Sequence, residues 1–145
     1  MTLSRLGGMT YFDVLHIYGI ARAGFIPQLF SLRLPNPDVV NELLQKAGAK
    51  ALIYDLSYES ATSTFSVPVH PAAFTERPDA EDVVLYNGFE PSGSDIAMVF
   101  HTSGSTSGSP KLVRCTYKWL DAIVSKAYHT SLPKDQARQD VTVWM

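Results

Sequence analysis

Ile96-Ala-Met-Val-Phe-His101 runs directly into Thr102-Ser-Gly-Ser-Thr-Ser-Gly-Ser-Pro-Lys111. The first part is an apolar, β-compatible run, and the second is a loop of small hydroxylated residues and glycine closed by proline and lysine. Gly104 and Gly108 permit positive φ, so successive backbone N–H groups can turn toward one concave centre. Ser103, Ser105, Thr106 and Ser107 add short hydroxyl donors, and Lys111 adds a mobile positive charge. A solvated Ser/Gly linker has a similar composition. Attachment to a strand on one side and a Pro-Lys stop on the other favour an anion cradle. A Walker-type loop counted from Gly104 would need Gly-Lys-Ser/Thr at 109–111, where this chain has Ser109, Pro110 and Lys111.

Outward from this stretch, the chain alternates helix and strand signals. Residues 1–9 read as a loose leader. Thr10 caps a helix with Asp13 three positions on, as in a capping box, and Gly24 ends it. Phe12, Leu15, Ile20 and Ala23 on one face, with Val14, Ile17 and Tyr18 on another, predict a helix buried on more than one side. Residues 25–30 are extended, and Pro27 suggests an edge strand. Asn36 and Pro37 open a second helix with Val39, Val40, Leu43, Leu44 and Ala47 inward, and Gly48 closes it.

Ala51 to Tyr54 then reads as a buried strand that completes a βαβ unit. A brief strand at Val67-Pro68-Val69 and a polar loop from Thr75 to Asp95 precede the central strand at 95–101. Leu112 to Cys115 leaves the loop as another strand. Thr116 caps a third helix with Trp119, Leu120, Ile123, Val124 and Ala127 inward, and Val141 to Met145 reads as a last strand. The fold class is α/β, a partial sheet flanked by helices.

A chain of 145 residues can bury roughly 70% of its unfolded surface in one domain. The hydrophobic share of 46% excludes intrinsic disorder. A net charge of −2 gives no general attraction to nucleic acid. Charge is segregated: residues 51–100 hold eight acids against Arg77 alone, whereas residues 101–145 hold six bases against three acids. The candidate anion loop thus opens the basic third of the chain. Cys115, the single cysteine, excludes an internal disulfide, fits a reducing, cytoplasmic compartment and reads as a buried small side chain. The four histidines lack metal-ligand spacing. The apolar stretch 11–30 is broken by Asp13, His16, Arg22 and Pro27, which excludes a membrane span.

The loop resembles the phosphate-loop signature of adenylate-forming enzymes, Thr-Ser-Gly-Ser/Thr-Thr-Gly-x-Pro-Lys-Gly. Thr102 to Thr106 match in order, and Gly108 to Lys111 match the second half. Ser107 is one residue extra, and Leu112 stands where the signature has glycine. Upstream, Gly19 to Gly24 is similar to the family's Gly-Ile-x-x-Ala-Gly, and Gly48-Ala49-Lys50 to its Gly-Ala-Lys turn into a strand. The resemblance runs from about Thr10 to the end, and the loop is most similar to adenylation domains of fungal synthetase-like reductases.

The resemblance implies ATP as the ligand. Thr102, Ser103, Gly104, Ser105, Thr106, Gly108 and Lys111 would hold its β- and γ-phosphates, and a carboxylic acid would be activated as acyl-adenylate in complete relatives. It implies no catalytic residue and no metal ligand here, with magnesium belonging to complete family members. Their adenine, ribose and magnesium groups and their catalytic lysine lie further along than residue 145. The chain therefore reads as an N-terminal part of an adenylation domain, inactive and at most weakly ATP-binding alone. A non-catalytic interaction module on the same scaffold, or an unrelated α/β domain with a Ser/Gly loop, are the alternatives.

Overall fold

Strand β1 (Thr2–Leu6) opens the chain and lies inside a six-stranded sheet of order β4-β3-β1-β2-β5-β6. The computed structural model describes residues 1–7, 10–30, 36–72, 88, 90–102, 110–131, 135 and 137. After β1 come α1 (Tyr11–Arg22), β2 (Ile26–Phe30), α2 (Pro37–Ala47) and β3 (Ala49–Tyr54). A 3₁₀ helix (Leu56–Thr64) and β4 (Val69–Pro71) follow, then β5 (Ile96–His101), β6 (Leu112–Thr116) and α3 (Tyr117–Ser131). Pairing is parallel from β4 across to β5, and β6 is antiparallel to β5. The α/β reading stands.

Residues 1–9 are not a loose leader, because five of them form an interior strand. The segment Thr-Leu-Ser-Arg-Leu looks too polar for that position until its partners are seen. Ser4 Oγ donates to Gln28 Oε1 at 2.7 Å, and Gln28 Nε2 donates to the Leu43 carbonyl at 3.2 Å. The next residue, Arg5, pairs with Asp13 of α1 at 2.7 Å. Buried polar groups are tolerable when satisfied in this way. Successive strand residues point to opposite faces, so Ser4 and Arg5 show that α2 and α1 cover opposite sides of the sheet.

Pro27 also departs from expectation, since β2 is interior rather than an edge. Ile26 N–H donates to the Met1 carbonyl at 2.7 Å, toward β1. Alternation then turns the Pro27 nitrogen toward β5, where the ladder is registered only at Gln28 and Val99. The missing donor falls where little pairing is lost.

Helix α1 begins as its sequence predicts, with the Thr10–Asp13 capping box present. Its burial differs: only Asp13 and Ile20 are buried, and Tyr11 and Tyr18 are 72% and 67% exposed. Helix α2 follows its pattern. Asn36 accepts from Asp38 N–H, Pro37 starts the helix, and Gly48 ends it at φ 62°. Val40, Leu43 and Leu44 join Leu6, Phe30 and Leu52 in the core, with Leu112 packed against them. Asn41 ties α2 to the end of the 3₁₀ helix, donating to the Thr64 carbonyl at 2.6 Å and accepting from Ser66 N–H at 2.8 Å.

Thr116 Oγ1 accepts from Trp119 N–H at 3.2 Å, so it caps α3 as expected. The inward stripe of α3 is overturned. Trp119 and Ile123 are each 44% exposed and Val124 66%, because cover from the sheet ends after the first turn at Leu120. The brief strand falls at Val69–Pro71 rather than 67–69. The 3₁₀ helix went unread; Asp55 caps it, its Oδ1 accepting from Ser57 N–H at 3.0 Å and from Ser57 Oγ at 2.7 Å. Most of the Thr75–Asp95 loop and all of Val141–Met145 lie outside the described residues.

These two hydrogen bonds, the backbone one first, hold the Asp55 carboxyl below its usual value of 3.8. A carboxylate with a lowered folded pKa contributes stability above its unfolded pKa and loses it as pH falls through the folded one. Asp55→Ala is expected to cost about 1 kcal/mol at pH 7, as capping losses do. The gap between variant and parent should close as pH drops below 3.8. Urea titrations at neutral and acidic pH check this, and a gap independent of pH would remove the assigned cause.

Candidate functional site

The parallel strands β1 to β5 end together at Leu6, Phe30, Tyr54, Pro71 and His101. This carboxyl edge is where open α/β sheets bind ligands, because helix N-termini and loops converge there. The Ser/Thr/Gly loop leaves β5 at this edge and returns into β6. His101 pairs with Leu112 as the last register of the β5–β6 ladder. One step further, Thr102 N–H donates to the Lys111 carbonyl at 2.9 Å, and Lys111 N–H donates to Thr102 Oγ1 at 3.3 Å. The two outer residues of the predicted cradle thus close a hairpin against each other. Pro110 beside them is buried, whereas Thr102 and Lys111 are exposed. Ser103, Gly104, Ser105, Thr106 and Gly108 lie outside the described residues.

The same edge carries a cleft of about 450 Å³ between α1 and the ends of β2 and β5. It is lined by Val14 and Ile17 of α1, Leu29 and Phe30 of β2, and Phe100 and His101 of β5. The Phe30 and His101 rings lie 6.0 Å apart, inclined at 31°. Asp13 also lines the cleft, with its charge engaged by Arg5 and Thr10. Its Oδ1 meets Arg5 at 2.7 Å, and its Oδ2 accepts from Thr10 N–H at 2.6 Å and Thr10 Oγ1 at 2.9 Å. Arg5 also donates to the Leu6 and Ile53 carbonyls.

Gly7 is buried where a side chain would collide with this pair. Sequence reading found Asp13 as a cap and a break in the apolar run, placed Gln28 and His101 only as strand residues, and gave Arg5 no role. Their partners Asp13, Ile53, Leu43 and Phe30 are 8 to 71 residues away, and no local pattern signals such contacts.

A larger cleft of about 550 Å³ lies at the opposite, amino edge, between Ala21, Ile26, Ile96 and Tyr117. Size alone would favour it. The carboxyl-edge cleft is the better candidate because the strand ends, the hairpin loop and the α1 N-terminus meet there. Cys115 is buried as expected, and burial pushes its thiol pKa up, which disfavours a nucleophilic role. Among the described residues no group of three or more His, Cys, Asp or Glu could hold a metal ion, and no helix is long and apolar enough to cross a membrane.

Over 120 residues, covering 78% of this chain, the sequence is 36% identical to the AMP-binding domain-containing enzyme iboA of Amanita muscaria (strain Koide BX008). The chain belongs to the adenylate-forming superfamily. It spans 23% of the length of that relative. No family model matches it.

The fold agrees with this membership. O-succinylbenzoate coenzyme A synthetase (MenE) from Bacillus subtilis, in complex with AMP, superposes on 92% of the chain with a TM-score of 0.73 at 20% identity. The match covers 34% of that structure. The same enzyme with ATP and magnesium ion gives 0.71 over 92% of the chain and 27% of the structure, again at 20% identity. Brucella canis acyl-CoA synthetase matches 83% of the chain and 24% of its own length at 26% identity, with a TM-score of 0.59. This chain therefore has the architecture of the N-terminal part of adenylate-forming enzymes.

Proposed function

We propose that this adenylate-forming chain carries the ATP phosphate-binding part of the family's site, and that the whole protein activates a carboxylic acid as its acyl-adenylate. The observation that supports the reading best is the Thr102–Lys111 closure at the carboxyl edge, where a Ser/Thr/Gly loop is held by both ends. Main-chain hydrogen bonds occupy the Lys111 backbone, and its ammonium remains on an exposed residue. Lys111 would neutralise phosphate charge while Ser103, Gly104, Ser105, Thr106 and Gly108 supply amide and hydroxyl donors. Thr102 Oγ1 already accepts from Lys111 N–H, so its remaining part is to donate. Bound ATP supplies the phosphoryl leaving group for acid activation, and this chain's share is binding, orientation and charge neutralisation. The described residues offer no metal cluster, so no step is assigned through magnesium.

The test is an NMR titration of the chain with ATP and pyrophosphate. Amide shifts are expected at Thr102 and Lys111. Lys111→Ala should weaken binding roughly ten-fold or more, since hydrogen bonds to charged groups are worth about 1.5–3 kcal/mol. Shifts centred elsewhere and unchanged in Lys111→Ala would refute the assignment. The reading as a non-catalytic interaction module has its own support in the exposed Trp119, Val124 and Tyr128 of α3. It requires a partner whose binding survives Lys111→Ala and is lost in Trp119→Ala.

A further inference from the structure

We propose that the open edge of β6 captures an extended segment of a partner protein in which acidic and β-branched apolar residues alternate. The two margins of the sheet differ. β4 is three residues long, with Pro71 inside it and Pro68 before it, and prolines blunt an edge against further pairing. β6 has five residues and no proline, and among the described residues no strand lies beyond it. Its backbone turns outward at two positions. Thr102 N–H donates to the Lys111 carbonyl, and alternation along the β5–β6 ladder puts the Phe100–Val113 pair in the same class. Leu112 and Arg114 fall between these, so each turns its N–H and carbonyl away from β5.

Side chains choose the occupant. Residues 111–120 hold Lys111, Arg114 and Lys118 and no acid, and all three bases are exposed. Leu112 packs against the α2 core, so Arg114 stands on that face of the strand and Val113, 41% exposed, on the other. A strand laid along this edge would set a carboxylate beside Arg114 and a β-branched side chain beside Val113. A second copy fits poorly, since it would bring two equally basic edges together. Leu112 and Arg114 belong to the strand and not to the Ser/Thr/Gly loop, so strand capture stands whether or not ATP binds.

The test is amide hydrogen exchange by NMR in the 145-residue chain, with Leu112 and Arg114 as reporters and Val113, whose N–H faces β5, as the internal reference. In the free chain both reporters are expected to exchange quickly. A short capped peptide alternating glutamate and valine should shift both and slow their exchange. Its lysine–valine counterpart, and a glutamate–glycine peptide of the same length and charge, should not. Arg114→Glu should weaken the glutamate–valine peptide roughly ten-fold, as an exposed attraction is exchanged for a repulsion. The same variant should bind the lysine–valine peptide, a gain that also shows it is folded, and Arg114→Lys should keep the parent's preference.

Slow exchange at both reporters in the free monomer would mean that this chain's own residues cover the edge. Slowing that grows with protein concentration, beside a dimer in size-exclusion chromatography, would mean that a second copy does. Either result would overturn the proposal. Equal responses to the two charged valine peptides, or a glutamate–glycine response as large as the glutamate–valine one, would overturn it too. So would silence from all three peptides, which would leave Lys111 and Arg114 as charges that guard the edge against pairing.

Discussion

Gly7→Ala is expected to destabilise the chain by about 3–5 kcal/mol, the range for breaking a buried ion pair. A Cβ at Gly7 would lie 2.0 Å from Asp13 Oδ1 and 2.6 Å from Arg5 Nη2. Neither atom can swing into water, because the two side chains are only 8% and 2% exposed. To admit the methyl group, the pair must separate inside the protein or β1 must shift against α1. Either way a charge loses its partner without gaining solvent, and the Thr10–Asp13 capping box is pulled with it.

Gly19→Ala is the matched control. Nothing lies within 4 Å of its added Cβ, and a helical Gly-to-Ala change should stabilise by roughly 0.5–1 kcal/mol. Urea unfolding midpoints of the two variants should move in opposite directions. Arg5→Met should be as harmful as Gly7→Ala, and adding Asp13→Leu to it should recover part of the loss by removing the stranded carboxylate. A Gly7→Ala midpoint equal to the parent's would show that the pair does not lock β1 to α1.

The comparison of Arg5 with Leu43 shows what the sequence could reveal about this fold. Helix α2 was legible from end to end because its signals are local. Asn36, Pro37 and Gly48 fix the ends, and Val40, Leu43 and Leu44 fix the face through helical spacing. Strand β1 was illegible because its burial depends on Gln28 and Asp13, tertiary partners that hydrophobic periodicity does not record. The loop's ends were legible for the same local reason as α2. An apolar strand, glycines and Pro-Lys define a hairpin, and Thr102 and Lys111 do close it. The cleft was not, since it draws on α1, β2 and β5, which meet only through the parallel strand order.

Apolar periodicity failed differently in α1 and α3. It identified both helices correctly and misjudged their burial, because a stripe records what a helix can bury. Tyr18 at 67% and Val124 at 66% exposed have the right residue type and no cover among the described residues.

Leu43→Ala tests the opposite face of the sheet and should cost about 2–5 kcal/mol, the range for truncating a buried leucine. Leu43 has no exposed surface and packs among Leu6, Phe30, Val40, Leu44 and Leu52, so residues of α2, β1, β2 and β3 would border the hole. Collapse around it is restricted on one side. The Leu43 carbonyl accepts from Gln28 Nε2, and Gln28 Oε1 accepts from Ser4 Oγ, so moving α2 inward strains a buried polar chain. The cost should therefore fall in the upper part of the range, and Leu43→Met, which keeps the volume, should cost below about 1.5 kcal/mol.

Val124→Ala on α3 is the exposed counterpart and should stay within roughly 0.5 kcal/mol of the parent. Because β2 bridges the α2 core and the α1 cleft, the two faces are expected to unfold together. Circular dichroism at 222 nm and the Thr102 amide signal should then lose native character at one urea concentration in Leu43→Ala. Two separated transitions would mean that the sheet does not couple its faces, and that the loop is held by the β5–β6 hairpin alone.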